Sequence, residues 1–218
     1  MHDDSLDAAA LAGVLAGVCD AMNDSIADLT HADQAVGDGD HGLAIGRGVA
    51  AARSAVVGLA HGGDIGALFD AFGMAMLSSM GGASGAIYGT LFRRGGAALR
   101  GRTAFDADAL ATFLEAGLAG VRERGKAAVG DKTLVDALQP ASEAARAAAA
   151  GSLADALAAA TAAAGDGLER TRAMQATLGR ARTLGDRAVG HVDPGALSFT
   201  LMLRAWARLV RDPSSAGQ

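Results

Sequence analysis

The stretch Asp33-Gln34-Ala35-Val36-Gly37-Asp38-Gly39-Asp40-His41-Gly42 decides how the chain is read. Its second half, Gly37 to Gly42, fits the dinucleotide-binding pattern G-x-G-x-x-G to the letter. That fingerprint needs a strand before it and a loop free of negative charge near the pyrophosphate. Here a helical pattern precedes it and Asp38 and Asp40 lie inside it, so the dinucleotide reading is rejected. An EF-hand fails as well. Counted from Asp38, the loop puts Leu43 where the invariant glycine belongs and Val49 where the bidentate glutamate belongs.

What remains is three carboxylates and a histidine within ten residues. Like charges this close repel and resist desolvation, so the crowding becomes useful only with a cation among them. Asp33, Asp38 and Asp40 are oxygen donors with no cysteine nearby, a set suited to magnesium shared with phosphate oxygens. The competing reading, equally weighted on spacing alone, is a solvated acidic loop that caps the following helix.

Outward from this stretch the pattern is helical. Leu11, Val14, Leu15, Val18, Met22, Ile26 and Leu29 repeat with a period near 3.6, predicting one helix over 6–29 that ends before the acidic loop. A second helix is expected over about 41–59, closed by His61-Gly62-Gly63, and a third, capped by Asp64, runs through Met80. An apolar segment follows through Leu99. Asp106 opens a helix carrying Leu110, Phe113 and Leu114, and others are expected over 133–150 and from Ser152 through the alanine-rich stretch. After a polar loop over 180–191, Asp193-Pro194 gives a strong start for the last helix. Aromatic residues are 4% of the chain, only three prolines occur and β-branched runs are missing. The fold class is therefore all-α, with about eight antiparallel amphipathic helices in one domain over 1–211 and a frayed tail over 212–218.

The formal charge of -5 argues against a general nucleic-acid or anionic-membrane surface. A lone cysteine, Cys19, excludes an internal disulfide framework and reads as core. The acidic N-terminus lacks a signal-peptide pattern, and no run of about 18 uncharged apolar residues exists, so a soluble, cytoplasmic chain is expected. His2, His31 and His61 are expected at the surface with no assigned role.

Gly81-Gly82-Ala83-Ser84-Gly85 is a second candidate: a glycine-rich turn opening a helix offers free backbone N–H groups to an anion, although singly it reads as a helix–helix turn. Gly125-Lys126, Gly130-Asp131-Lys132-Thr133, Gly179-Arg180 and Gly190-His191-Val192-Asp193-Pro194-Gly195 each read singly as a cap or turn. In an up-and-down bundle, however, connections from odd to even helices share one end. The acidic loop, the glycine–serine turn, the Lys132 loop and the Asp193 loop are all of that kind. Their clustering favours a joint metal–nucleotide site on one rim.

Taken together, Ala35 to Gly42, Gly81 to Thr90, Arg124-Gly125-Lys126, Gly130 to Leu138, Gly179-Arg180 and Gly190 to Ala196 resemble the nucleotide-binding L subunit, or DhaL-type domain, of dihydroxyacetone kinases. The blocks span nearly the whole chain in the family's order. The resemblance implies a helical barrel with the nucleotide at one rim, and Asp33, Asp38 and Asp40 holding two magnesium ions against the phosphates of ADP or ATP. It further implies that the nucleotide is lined by His41, Gly42, Leu43 and Ala44, by Ala83 and Ser84, by Gly125 and Leu134, by Arg180, and by Asp193, Pro194 and Gly195. Ala44 stands where many relatives carry asparagine, which would remove a polar contact. His41, where fatty-acid kinase relatives usually carry threonine, favours the dihydroxyacetone branch. In the family the ketose is held covalently by a histidine on a separate K subunit or domain, for which this chain has no room. The implied role is phosphoryl donor to a K partner, with dihydroxyacetone, erythrulose or a similar ketose as acceptor. The donor is either ATP or resident ADP recharged by a phosphohistidine protein of the phosphotransferase system. A nucleotide-bound module read by a transcription factor is the alternative.

Overall fold

The computed structural model describes residues 5–59 and 63–212. The expectations for His2, His61, Gly62 and the chain after Asp212 lie outside the described residues. Nine α-helices are found among these: α1 Ala8–Asp24, α2 Ile26–Gln34, α3 His41–Val57, α4 Ile65–Met80, α5 Gly82–Ala98, α6 Ala107–Gly125, α7 Val135–Ala147, α8 Leu153–Arg170 and α9 Pro194–Arg211. Each packs against the next, and α1 packs against both α3 and α9, so the arms close into a ring. Neighbours run antiparallel: Arg47 on α3 donates to the Met80 carbonyl at the end of α4, and Thr161 and Thr200 tie mid-α8 to mid-α9 through Leu203 and Ala164.

The starts were well marked. Asp64, Asp106, Ser152 and Asp193 each accept a backbone N–H from the first turn of the helix they precede, at 2.7–3.1 Å for the closest bond. These bonds satisfy donors that a helix leaves orphaned, each contributing about 1 kcal/mol.

One expectation needs correction. The first helix does not run unbroken over 6–29: it bends by 52° at Ser25 and continues as α2 to Gln34. The Ser25 hydroxyl donates to the Ala21 carbonyl at 3.0 Å, a back-bond that bends helices, and Asn23-Asp24-Ser25 has weak helix propensity. Leu11, Met22 and Leu29 stay fully buried across the bend, so the apolar period gave no warning of it. As a result Asp33 sits in the last turn of a helix rather than in a loop. The helix expected over 133–150 is shorter, Val135–Ala147, and the polar 180–191 segment contains 3-10 turns over Arg180–Ala188. Two residue pairs, Leu6 with Phe105 and Asp7 with Ala104, also form a minimal antiparallel ladder.

One continuous hydrophobic cluster fills the ring. Phe69, Phe72, Phe92, Phe105, Phe113 and Trp206 form its aromatic part, with Phe69 and Phe113 centroids 4.3 Å apart and Phe105 stacked on Trp206 at 5.4 Å. Trp206 is about 18 Å along α9 from Pro194 at the helical rise per residue, so its stack with Phe105 lies away from the α9 N-terminus. Between α4 and α5 the backbones touch: a Cβ on Gly66 would stand 2.6 Å from the Gly96 carbonyl. No single helix among the described residues is long and apolar enough to cross a membrane; α1 and α2 together pass that test, but α1 turns its apolar side into the core.

Cys19 is buried on α1, and burial, reinforced by the neighbouring Asp20 carboxylate, pushes its thiol up to about 12. Because the thiolate is the reactive form, native protein at pH 8 is expected to leave this thiol unmodified by a disulfide reagent. A full equivalent should appear on unfolding in denaturant. Rapid reaction of the native chain would overturn its placement in the core.

Candidate metal–nucleotide site

The acidic stretch is held by two helices that meet closely. Asp33 lies in the last turn of α2, Asp38 in the connection, and Asp40 immediately precedes α3. Each offers a carboxylate oxygen, and these oxygens all lie within 4.8 Å of one another, the one such acidic group among the described residues. Asp33 is buried and accepts the His41 backbone N–H at 3.1 Å, so it also caps α3. The capping reading of the sequence thus holds at Asp33, whose carboxylate also stands with those of Asp38 and Asp40. Gly37 is required here, because a Cβ would stand 2.4 Å from an Asp33 carboxylate oxygen.

Asp38 and Asp40 are exposed, and Arg180 bridges them, pairing through one nitrogen with Asp38 and through the other with Asp40 at 3.5 Å. A cation is thus drawn to the place where the carboxylates converge. The donor set is all oxygen, two of its members face solvent, and a positively charged group already settles on it. These features suit a hard divalent ion such as magnesium.

His41 does not join this donor set. Its ring is buried, with Nδ1 3.3 Å from the Ser84 hydroxyl and Nε2 2.9 Å from the Ser198 hydroxyl. Burial lowers its pKa, with the Asp33 carboxylate and the Pro194 backbone opposing the shift. The ring spans from α3 to both α5 and α9. Ser198 in turn donates toward the Pro194 and Gly195 carbonyls at 3.0 and 3.1 Å and sits 2.7 Å from the Tyr88 hydroxyl. Ser198, Tyr88 and Lys132 were not assigned from sequence. Ser198 follows Pro194 by one helical turn on the buried side of α9, which was the available signal for it.

Two of the other three expected rim loops, the glycine–serine turn and the Asp193 loop, are joined to the acidic stretch by these contacts, and the Lys132 loop joins through Leu134. A Cβ on Gly195 would stand 3.0 Å from the Asp193 carboxylate and 3.4 Å from Leu134 Cβ, which places the start of α7 beside the start of α9. Asp193 caps α9 through the Ala196 N–H at 2.7 Å. Burial pushes its carboxyl up to about 7 despite that bond, with Asp136 raising it further and Lys132 opposing. The α5 N-terminus has no side-chain cap, and Gly81 and Gly82 turn into it with φ of 74° and 58°. The N–H groups of Gly82, Ala83 and Ser84 are therefore presented at the rim without intrahelical acceptors.

The remaining candidates are placed less centrally. Gly125 ends α6, where a Cβ would touch Ile87 of α5 at 3.2 Å. Leu43 is 57% exposed beside the acidic stretch, whereas Ala44 turns inward to the core.

Comparison with known proteins gives a consistent family. Residues 35–208 match the model of the DAK2 domain. The chain is 39% identical over 177 residues to the Listeria innocua "PEP-dependent dihydroxyacetone kinase 1, ADP-binding subunit DhaL", covering 81% of this chain and 84% of that one. It is 37% identical over 186 residues to the Escherichia coli "PEP-dependent dihydroxyacetone kinase, ADP-binding subunit DhaL", covering 84% and 88%. Among solved structures, the C. freundii dihydroxyacetone kinase in complex with AMP-PNP and Mg2+ superposes with a TM-score of 0.69 at 31% identity, over 90% of this chain but 33% of that longer one. With its matched span and its ring of helices, the chain belongs to the DAK2-domain family, among the DhaL-type subunits of dihydroxyacetone kinases.

Proposed function

We propose that this chain is the phosphoryl-donor subunit of a kinase for dihydroxyacetone or a related small ketose. It holds a magnesium-bound adenine nucleotide at the rim, and a separate K subunit carries the acceptor. The observation that carries this reading is the convergence of Asp33, Asp38 and Asp40 within 4.8 Å, braced through His41 and Ser84 to the uncapped N-terminus of α5. Three carboxylates suffice for two magnesium ions, since magnesium keeps waters and takes phosphate oxygens for the rest of its shell. Magnesium, when bound, supplies charge neutralisation for the polyphosphate and for the group in transit.

The chain's own residues do the holding and aiming. Asp33 fixes the start of α3 and presents an oxygen from a buried position, while Asp38 and Asp40 present theirs from the surface. Arg180 shares the oxygens of Asp38 and Asp40 and competes with a divalent ion for them. The N–H groups of Gly82, Ala83 and Ser84 donate to an anion, adding the helix dipole and backbone bonds that need no reorganisation. Gly195 keeps the approach between Asp193 and Leu134 free of a side chain. No side chain here is placed as a general base, and none is needed if the acceptor hydroxyl is activated on the partner.

The Listeria and E. coli relatives are named ADP-binding subunits of PEP-dependent kinases, which supports resident ADP recharged by a phosphohistidine protein over ATP as a diffusing substrate. The test is transfer to dihydroxyacetone by this chain with a K subunit and magnesium. One reaction contains ATP; the other contains ADP with a phosphorylated histidine protein of the phosphotransferase system. Ketose phosphate is expected in the second. Turnover only with ATP would reverse the choice of donor. Tight ADP binding without transfer in either would favour the regulatory module instead.

A further inference from the structure

Lys132 is a buried cation that the reading above leaves without a task. It is 1% exposed, and its backbone is left-handed with φ of 59°, a conformation that costs a non-glycine residue energy and persists only where surroundings enforce it. Its ammonium has no ion pair among the described residues. Instead Nζ donates to two backbone carbonyls, Thr171 and His191, each at 2.5 Å. Those carbonyls stand at the two ends of the excursion between α8 and α9, the segment that carries Arg180 to Asp38 and Asp40.

The neck of that excursion is closed by further bonds, among them Arg172 Nη1 to the Gly190 carbonyl at 3.4 Å. Gly190 N–H donates to the Arg172 carbonyl at 2.8 Å, and Asp193 N–H to the Thr171 hydroxyl at 2.9 Å. Lys132 reaches this neck from the α6–α7 connection, which the buried Asp136 carboxylate fixes by accepting the Gly130 and Thr133 N–H groups at 2.6 and 2.7 Å. A charged donor is worth more than a neutral one, and its removal leaves the buried Thr171 carbonyl with only the Met174 N–H at 3.2 Å and takes this bond from the His191 carbonyl.

We infer that Lys132 is a positioning residue: its ammonium clamps the neck of the 172–190 segment and thereby sets where Arg180 stands over the acidic stretch. This rests on the proposed nucleotide site for its consequence, but not for the clamp itself.

Two measurements on the full chain test it. In amide hydrogen exchange without nucleotide, Lys132→Met is expected to speed exchange across 172–190 by about tenfold or more while α3 to α5 keep their protection. Unchanged or uniformly faster exchange would overturn the clamp. Should Lys132→Met not fold, Lys132→Gln, which keeps a donor on a shorter arm, is read the same way. The second measurement is a double-mutant cycle on ADP–magnesium affinity. Arg180→Ala should shift affinity about tenfold in the unmutated background and less than about twofold in the Lys132 variant. Equal shifts in both backgrounds would show that Lys132 does not act through Arg180. A general loss of stability would not produce that coupling. Failure of the unmutated chain to bind ADP strikes the functional reading alone, because the exchange result stands without ligand.

Discussion

Replacing Asp38 or Asp40 with asparagine is expected to remove magnesium-dependent nucleotide binding while leaving the fold intact. Both carboxylates are exposed and serve no cap or core contact; their partner in the structure is Arg180. An exposed ion pair contributes about 0–1 kcal/mol, and losing one of three crowded negative charges offsets part of that. Urea midpoints should therefore stay within about 0.5 kcal/mol of the unmutated chain. Affinity should fall by more than ~100-fold, beyond the ~10–100-fold typical of losing a group that merely supports a metal ligand. Calorimetry with ADP at fixed magnesium reads this directly, and phosphate transfer with a K subunit should fall in parallel. Retained magnesium-dependent binding in both variants would falsify the metal role. Asp33→Asn makes a useful contrast. Its carboxylate is buried and caps α3 through the His41 N–H, so stability should fall together with affinity.

That contrast also shows what could be read from the residues alone. The acidic stretch offers two explanations, metal donors or a cap for the next helix, and spacing does not choose between them: Asp33 caps α3 and also stands in the carboxylate group. Helix starts were legible wherever a single side chain determines them, as at Asp64, Asp106, Ser152 and Asp193. The bend at Ser25 was not, since it depends on a hydroxyl back-bond while the apolar spacing runs through without interruption. The expected grouping of loops on one rim survived that error, because breaking the first arm in two leaves the alternation of the other arms unchanged.

Less legible was what joins the rim. His41 was named as a nucleotide contact, yet its ring is committed to Ser84 and Ser198, residues 43 and 157 positions away. No local pattern marks a bond of that separation. Lys132 is hidden for a related reason: Gly130-Asp131-Lys132-Thr133 reads singly as a cap or turn, and only the tertiary fold buries the lysine. Arg180, expected beside the nucleotide, pairs with Asp38 and Asp40, a contact between two distant loops that no local pattern marks.

The second large effect is expected at Gly42, where fold and site depend on one contact. A Cβ there would stand 2.2 Å from the Thr30 hydroxyl, 2.4 Å from the Ile26 carbonyl and 2.8 Å from the Thr30 backbone nitrogen. Two of those atoms are backbone and cannot turn aside, so Gly42→Ala must push α3 away from α2. Overpacking usually costs about 1–3 kcal/mol, and contact with backbone on a neighbouring helix belongs at or above the top of that range. A loss of about 3 kcal/mol or more is expected in urea unfolding. Gly13→Ala is the matched control: the position is exposed on α1 with nothing within 4 Å of the added methyl, so it should stabilise by about 0.5–1 kcal/mol through helix propensity. The functional consequence follows from where the helices end. Asp33 lies on α2 and Asp40 at the start of α3, so separating the two helices spreads the carboxylates that now converge within 4.8 Å. Gly42→Ala should therefore lose magnesium-dependent affinity even at temperatures where it is fully folded, whereas Gly13→Ala should not. If Gly42→Ala unfolds at the unmutated urea midpoint, the close approach of α2 and α3 is wrong. If it is destabilised but binds ADP–magnesium normally, the carboxylates do not depend on that approach for their spacing.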